Sequence, residues 1–202
     1  MLTFIFCLLA GIAMADETPN EQQARRIFDK SYSLVFGEQG ATLHYDVNII
    51  GIYKTNGTIS FKGKKQKFTD QKVDSWNDGE TTYTAYRKKR TVEIHRSSSK
   101  KRDKYSSRFK FAPDDYTYNI SSEADGLLIL LKQKKGTKSS IKEVKMLVER
   151  GTYAPKKLRV KVAFVWTTVK ISNFHSGDLT DDMFVFPREH FKDWKFVDKR
   201  KD

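Results

Sequence analysis

The 202-residue chain predicts a mainly β fold of the α+β class, one large and strongly curved antiparallel sheet with a helix near its start. Three observations carry this. Apolar residues recur at every second position through most of residues 41–174, turn-forming groups separate these runs at short intervals, and Pro19–Phe36 alone keeps a helical period.

Residues 1–15 read as an address. Leu2–Met14 is apolar apart from Thr3 and Gly11, and Ala13-Met14-Ala15 supplies the small-x-small pattern of a secretory cleavage site. The run is shorter than the roughly 20 residues of a membrane span. Residues 16–202 then form one domain, with no Pro- or Gly-rich linker to divide them. Cys7 is the only cysteine and lies in the leader, so a disulfide scaffold is excluded. The leader carries no charge, and the net +13 therefore belongs to the domain and favours anionic partners.

In Pro19–Phe36, Ala24, Ile27, Phe28, Ser31 and Leu34 share one face, with Arg25, Arg26, Asp29 and Lys30 largely opposite, and Gly37 stops the helix. Leu43, Tyr45, Val47 and Ile49 then alternate with polar residues, as do Ile59 and Phe61, Val92 and Ile94, and Val144, Met146 and Val148. Leu158, Val160, Val162 and Phe164 alternate with Lys157, Arg159 and Lys161. Such alternation describes strands with one buried and one wet face. Turns are expected at Thr55-Asn56-Gly57, Asn77-Asp78-Gly79, Ala124-Asp125-Gly126, Lys135-Gly136-Thr137 and Ala154-Pro155. Connections this short favour a meander of roughly ten strands. Lys156–Phe164, with its outward cations, reads as an edge strand that resists pairing, and so as a feature of a monomer.

Catalytic constellations are missing. His44, His95, His175 and His190 are dispersed, and neither a nucleophile elbow nor a phosphate-cradling loop is present, which points to a non-enzyme without a cofactor. The acidic run His175–Asp182 lacks the ligand spacing of a calcium loop. Two basic clusters stand out, Arg87-Lys88-Lys89-Arg90 at a hairpin tip and Lys100-Lys101-Arg102 in a Ser-rich loop. Each reads either as a solvated charge run or as a contact for an anionic membrane or acidic polymer. Nucleic acid is disfavoured by export and by the scarcity of interleaved aromatic residues.

The stretch Trp76-Asn77-Asp78-Gly79-Glu80-Thr81-Thr82-Tyr83-Thr84, followed by a basic hairpin and Val92-Glu93-Ile94, resembles a strand-turn-strand of the LolA-type outer-membrane lipoprotein carriers. Gly57–Lys62 resembles the strand before it, and Phe184-Val185-Phe186 with Val197-Asp198-Lys199-Arg200 resembles the family's ending. The resemblance implies an incomplete β-barrel whose concave apolar face is covered by the N-terminal helix and short helices. It also implies a soluble periplasmic carrier that takes acylated lipoproteins from an inner-membrane ABC-type exporter to an outer-membrane acceptor. On that reading the acyl chains meet Ile27, Phe28 and Leu34 of the helix and the alternating residues of the strands: Leu43, Tyr45, Val47, Ile49, Ile59, Phe61, Trp76, Tyr83, Val92, Ile94, Val144, Met146, Val148, Leu158, Val160, Val162 and Phe164. Two departures stand beside the likeness. Gly63-Lys64 replaces an Arg-Pro pair of the family, and Tyr83 sits where a Trp is usual.

Overall fold

The computed structural model describes residues 17–49, 53–99 and 111–201. The leader, and Lys100, Lys101 and Arg102 of the second basic cluster, lie outside the described residues, as does the side chain of Ile49.

The helix α1 spans Pro19–Phe36, the bounds its sequence predicts. Thr18 and Glu21 form a capping box and Pro19 opens the first turn, so the exposed N–H groups of the helix start are satisfied locally. At the other end the Gly37 N–H reaches back to the Ser33 carbonyl.

Twelve strands follow: β1 (Ala41–Ile49), β2 (Tyr53–Lys62), β3 (Lys65–Asp70), β4 (Val73–Asn77), β5 (Thr81–Tyr86), β6 (Thr91–Arg96), β7 (Tyr116–Glu123), β8 (Gly126–Gln133), β9 (Ile141–Val148), β10 (Pro155–Val162), β11 (Val165–Ser176) and β12 (Lys195–Asp198). They make one open sheet in the order β12-β6-β5-β4-β3-β2-β1-β11-β10-β9-β8-β7. Two meanders, β1–β6 and β7–β11, are thus joined along the β1–β11 pair. Every pairing is antiparallel except β12 on β6, which is parallel.

Three expectations need correcting. Thr55-Asn56-Gly57 is not a turn but the middle of β2. Gly57 is buried there because the Tyr45 ring lies over it: a Cβ would meet the Thr69 carbonyl oxygen at 2.2 Å and the Tyr45 hydroxyl at 2.6 Å. The glycine makes room for a cross-strand aromatic ring rather than for a reversal. Nor is Lys156–Phe164 an edge. β10 lies between β9 and β11, and the edges are β7 and the four-residue β12. Finally, Phe164 does not extend β10. Val162 pairs with Val165, which leaves Ala163 and Phe164 as a two-residue turn with Ala163 at φ 52° and the Phe164 ring 94% exposed.

Candidate functional site

Residues directly opposite on paired strands share a face of the sheet. From the edge inward, one row runs Ile120, Ile129, Met146, Leu158, Val169, Val47. Another runs Leu43, Ile59, Phe68 and then turns polar at Ser75, Thr84 and Glu93. These rows lie on the inner face, the one that carries α1.

The helix crosses that face, packing on β7 and β8 near its start and on β1 and β2 near its end. Both ends are tied by polar bonds. The Asn20 amide donates to the Ile120 carbonyl at 2.9 Å and its oxygen accepts from the Ile120 N–H at 3.0 Å, which occupies the open edge of β7. At the far end the Ser176 hydroxyl donates to the Leu34 carbonyl at 3.0 Å. Between the ties the buried face is apolar, save for a Ser31 hydroxyl that has no hydrogen-bond partner.

Burial divides the inner face. Ala24, Ile27 and Phe28 of the helix pack tightly on Tyr116, Tyr118, Ile120, Ile129, Leu131, Ile141, Val144, Met146 and Val148. Val35 packs on Leu43 and Tyr45. Between these two cores Val47, Ile59, Phe61, Leu158, Val160, Val162, Val169 and Ile171 are only half-buried. They form an apolar strip that the helix spans without filling. Tyr32 and Phe36, exposed aromatic residues of the helix, stand beside it, with the Phe36 ring 4.7 Å from that of Phe61. Leu34 is half-buried at the helix end.

A cleft of about 980 Å³ runs along another side of the helix, walled by Arg25, Arg26, Asp29 and Lys30 and, across from them, by Thr152, Tyr153 and Ser176. Tyr153 belongs to both places: the Lys30 ammonium stands 5.3 Å from its ring, which also packs against the inner apolar cluster. Beyond Phe68 the inner face is polar. Asn77, Thr82 and His95 are buried there, and Ser97 donates to the Asn77 side-chain oxygen at 2.6 Å. Glu93 meets His95 at 3.2 Å and Lys199 at 2.7 Å. Burial pushes the Glu93 carboxyl up, but its bonds to Lys199 and His95 outweigh that and hold it below its ordinary value.

The register moves four expected lining residues elsewhere. Lys67, Trp76, Tyr83 and Ile94 stand in one row, and Val92 is two residues from Ile94, so Trp76, Tyr83, Val92 and Ile94 all point to the outer face. The C-terminal segment covers them there, with Phe186 stacked on Tyr83 at 4.5 Å and edge-on to Trp76 at 5.4 Å. Lys62 and Lys65 anchor this segment through Asp181, at 2.9 and 2.8 Å. Phe61, Phe68, Val169 and Ile171 gather on the inner face instead, and of these only Phe61 was expected from the sequence. In the first basic cluster Arg87 is committed to Asp74, through bonds of 3.0 and 2.5 Å, and Lys88 and Arg90 are exposed.

Among the described residues no three His, Cys, Asp or Glu side chains are placed to hold a metal ion, and no helix is long and apolar enough to cross a membrane. The described residues thus form an open antiparallel sheet with a half-covered apolar face under a tethered helix. The family model of the outer membrane lipoprotein carrier protein LolA matches residues 15–163, and the chain belongs to that family. No curated protein matches it. Among solved structures it is similar to a LolA superfamily protein from Nitrosomonas europaea (11% identity, 82% of this chain and 98% of that one, TM-score 0.40). It is also similar to an outer membrane lipoprotein-sorting protein domain from Vibrio parahaemolyticus (11%, 86% and 100%, 0.42). A third is the lipoprotein LppX of Mycobacterium tuberculosis (9%, 79% and 98%, 0.47).

Proposed function

We propose that the protein carries lipoproteins through the periplasm by holding their acyl chains on the inner apolar strip beneath α1. The half-burial of Val47, Ile59, Phe61, Leu158 and Val160 between two fully packed cores carries this reading. A sheet that needed these residues only for its own stability would cover them. The physical need is large, because transfer of an acyl chain of about 16 carbons from lipid to water costs on the order of 13 kcal/mol, at about 0.8 kcal/mol per methylene. A carrier must offset most of that cost without packing so tightly that the cargo stays bound.

In this role residues 1–15 are removed on export and the domain of residues 16–202 shuttles from an inner-membrane ABC-type exporter to an outer-membrane acceptor. The helix acts as a lid. With Gly63-Lys64 in place of the family's Arg-Pro pair, the Asn20–Ile120 and Ser176–Leu34 bonds and the Arg25–Asp114 ion pair join the apolar packing of Ala24, Ile27 and Phe28 in holding it down.

Binding of a triacylated lipopeptide, beside the same peptide without acyl chains, tests the proposal at low and high salt. Acyl-dependent binding that survives high salt, and that Val160→Asp weakens at least about tenfold, is expected, because exposed charge pairs are screened while apolar contacts persist. Equal binding of both peptides, lost at high salt, refutes it and leaves a polyanion-binding surface.

A further inference from the structure

The connections of the sheet divide by charge. At one end lie the links β3–β4, β5–β6, β8–β9 and β10–β11, which hold Lys72, the run Arg87–Arg90, and Lys134, Lys135 and Lys138; the carboxylates at this end are Asp114 and Asp115, just before β7, and Asp70 and Asp74, which flank Lys72, with Asp74 bonded to Arg87. At the opposite end the links β2–β3, β4–β5, β7–β8 and β9–β10 hold Asp78, Glu80, Asp125 and Glu149 against Lys64 and Arg150. Antiparallel pairing places these groups on opposite rims whatever the curvature of the sheet. Among the described residues the one nearly fully exposed large apolar residue, Phe164, stands on the cationic rim. A two-residue turn next to the Lys134–Lys138 loop presents it, since β10 ends at Val162 opposite Ile141, the start of β9.

The outer face behind that turn continues the pattern. The Trp166 ring is surrounded by the Arg159 guanidinium at 4.8 Å and the Lys145 and Lys161 ammonium groups at 5.3 and 5.8 Å. Among the described residues Glu143 offsets them, 3.6 Å from Lys145. Lys145 lies directly opposite Arg159, and Lys157 opposite Lys170. Such like-charge pairs destabilise a sheet, and on an interior strand they cannot be serving to guard an edge.

We propose that this rim docks the protein on an anionic bilayer surface, with the Phe164 ring entering the acyl boundary, the Trp166 ring near headgroup level, and the surrounding cations meeting lipid phosphates. A soluble acidic polymer would satisfy the cations but would leave Phe164 in water. The combination of an exposed aromatic tip and a cationic collar fits a membrane interface, where apolar insertion and attraction to acidic headgroups add. The inference stands apart from acyl carriage: the strip under α1 could bind cargo with this rim idle, and the reverse.

Flotation of the purified protein with phosphatidylethanolamine vesicles containing phosphatidylglycerol tests it, beside vesicles of phosphatidylcholine alone and beside dextran sulfate. Binding to the anionic vesicles is expected to fall about tenfold in Phe164→Ser, and by at least that in the triple variant Lys134→Gln/Lys135→Gln/Lys138→Gln. Each change is to an exposed residue, so the thermal midpoint should hold. In Phe164→Trp, tryptophan emission should shift to the blue on anionic vesicles and be quenched by brominated chains. The proposal is overturned if no anionic vesicle binds. It is overturned equally if binding is indifferent to Phe164 and the Phe164→Trp spectrum does not move, or if dextran sulfate binds as tightly as the vesicles.

Discussion

Replacing Asn20 with alanine removes both bonds between α1 and Ile120 while leaving the Thr18–Glu21 capping box and the apolar face of the helix in place. Two neutral hydrogen bonds to a main-chain edge, each worth about 0.5–1 kcal/mol net at this part-buried position, give about 1–2 kcal/mol in all. If the helix opens as a unit, its opening equilibrium rises about 5- to 30-fold. Amide hydrogen exchange measures this directly. Protection of the helix amides should drop by that factor, while β8 and β9, buried at Ile129, Leu131 and Val148, keep theirs. Ser176→Ala should act at the other end with about half the effect, since it removes a single bond to Leu34. A uniform loss of protection across helix and sheet would refute the reasoning, because it would show that α1 has no opening of its own.

Three further outcomes follow from the packing and the charges. Gly57→Ala should cost about 2 kcal/mol or more in urea unfolding, because the new Cβ must displace the Thr69 carbonyl or the Tyr45 ring. Leu131→Ala, at a fully buried site, should cost about 3 kcal/mol and spare lipopeptide binding; Val160→Ala, on the half-covered strip, should show the reverse balance. Lys65 and Lys62 hold the Asp181 carboxyl down from 3.8 to about 2, so its contribution is complete above the unfolded value and is lost as pH falls through about 2. Proteolysis or exchange at Asp181–Phe184 should therefore rise between pH 4 and 2 in the wild type and be raised already at neutral pH in Asp181→Asn.

Local signals were legible in the sequence and relations between faces were not. Thr18-Pro19 with Glu21, and Gly37, mark both ends of α1, and the alternation of Leu43, Tyr45 and Val47 gives β1 its inner side. Period two states that a strand has two faces, but it does not say which of them meets the helix. Trp76 and Tyr83 therefore looked equivalent to Leu43 until the register from β1 to β5 placed them on the other side. The consecutive buried pairs Trp76-Asn77 and Ile94-His95 mark strands covered on both faces, one by Phe186 and its neighbours. The aromatic tail Phe184–Phe196 was the available signal for that second cover. Gly57 misled because an Asn-Gly pair is a strong turn signal, and only a ring 12 residues earlier in the chain explains it. At Phe164 the alternation ran past the strand by one turn.

The helix precedes β1 in the chain, yet its firmest polar tie is to Ile120, in the second meander. Its docking thus demands that two halves, each built from neighbour-to-neighbour hairpins, have already met along the β1–β11 pair. Closing a loop of that length is entropically slow beside hairpin formation. Where the two meanders form before the helix docks across them, the apolar sides of both lie bare of α1. Docking of α1, which touches β7 and β8 of one meander and β1 and β2 of the other, covers those aggregation-prone sides in a single step.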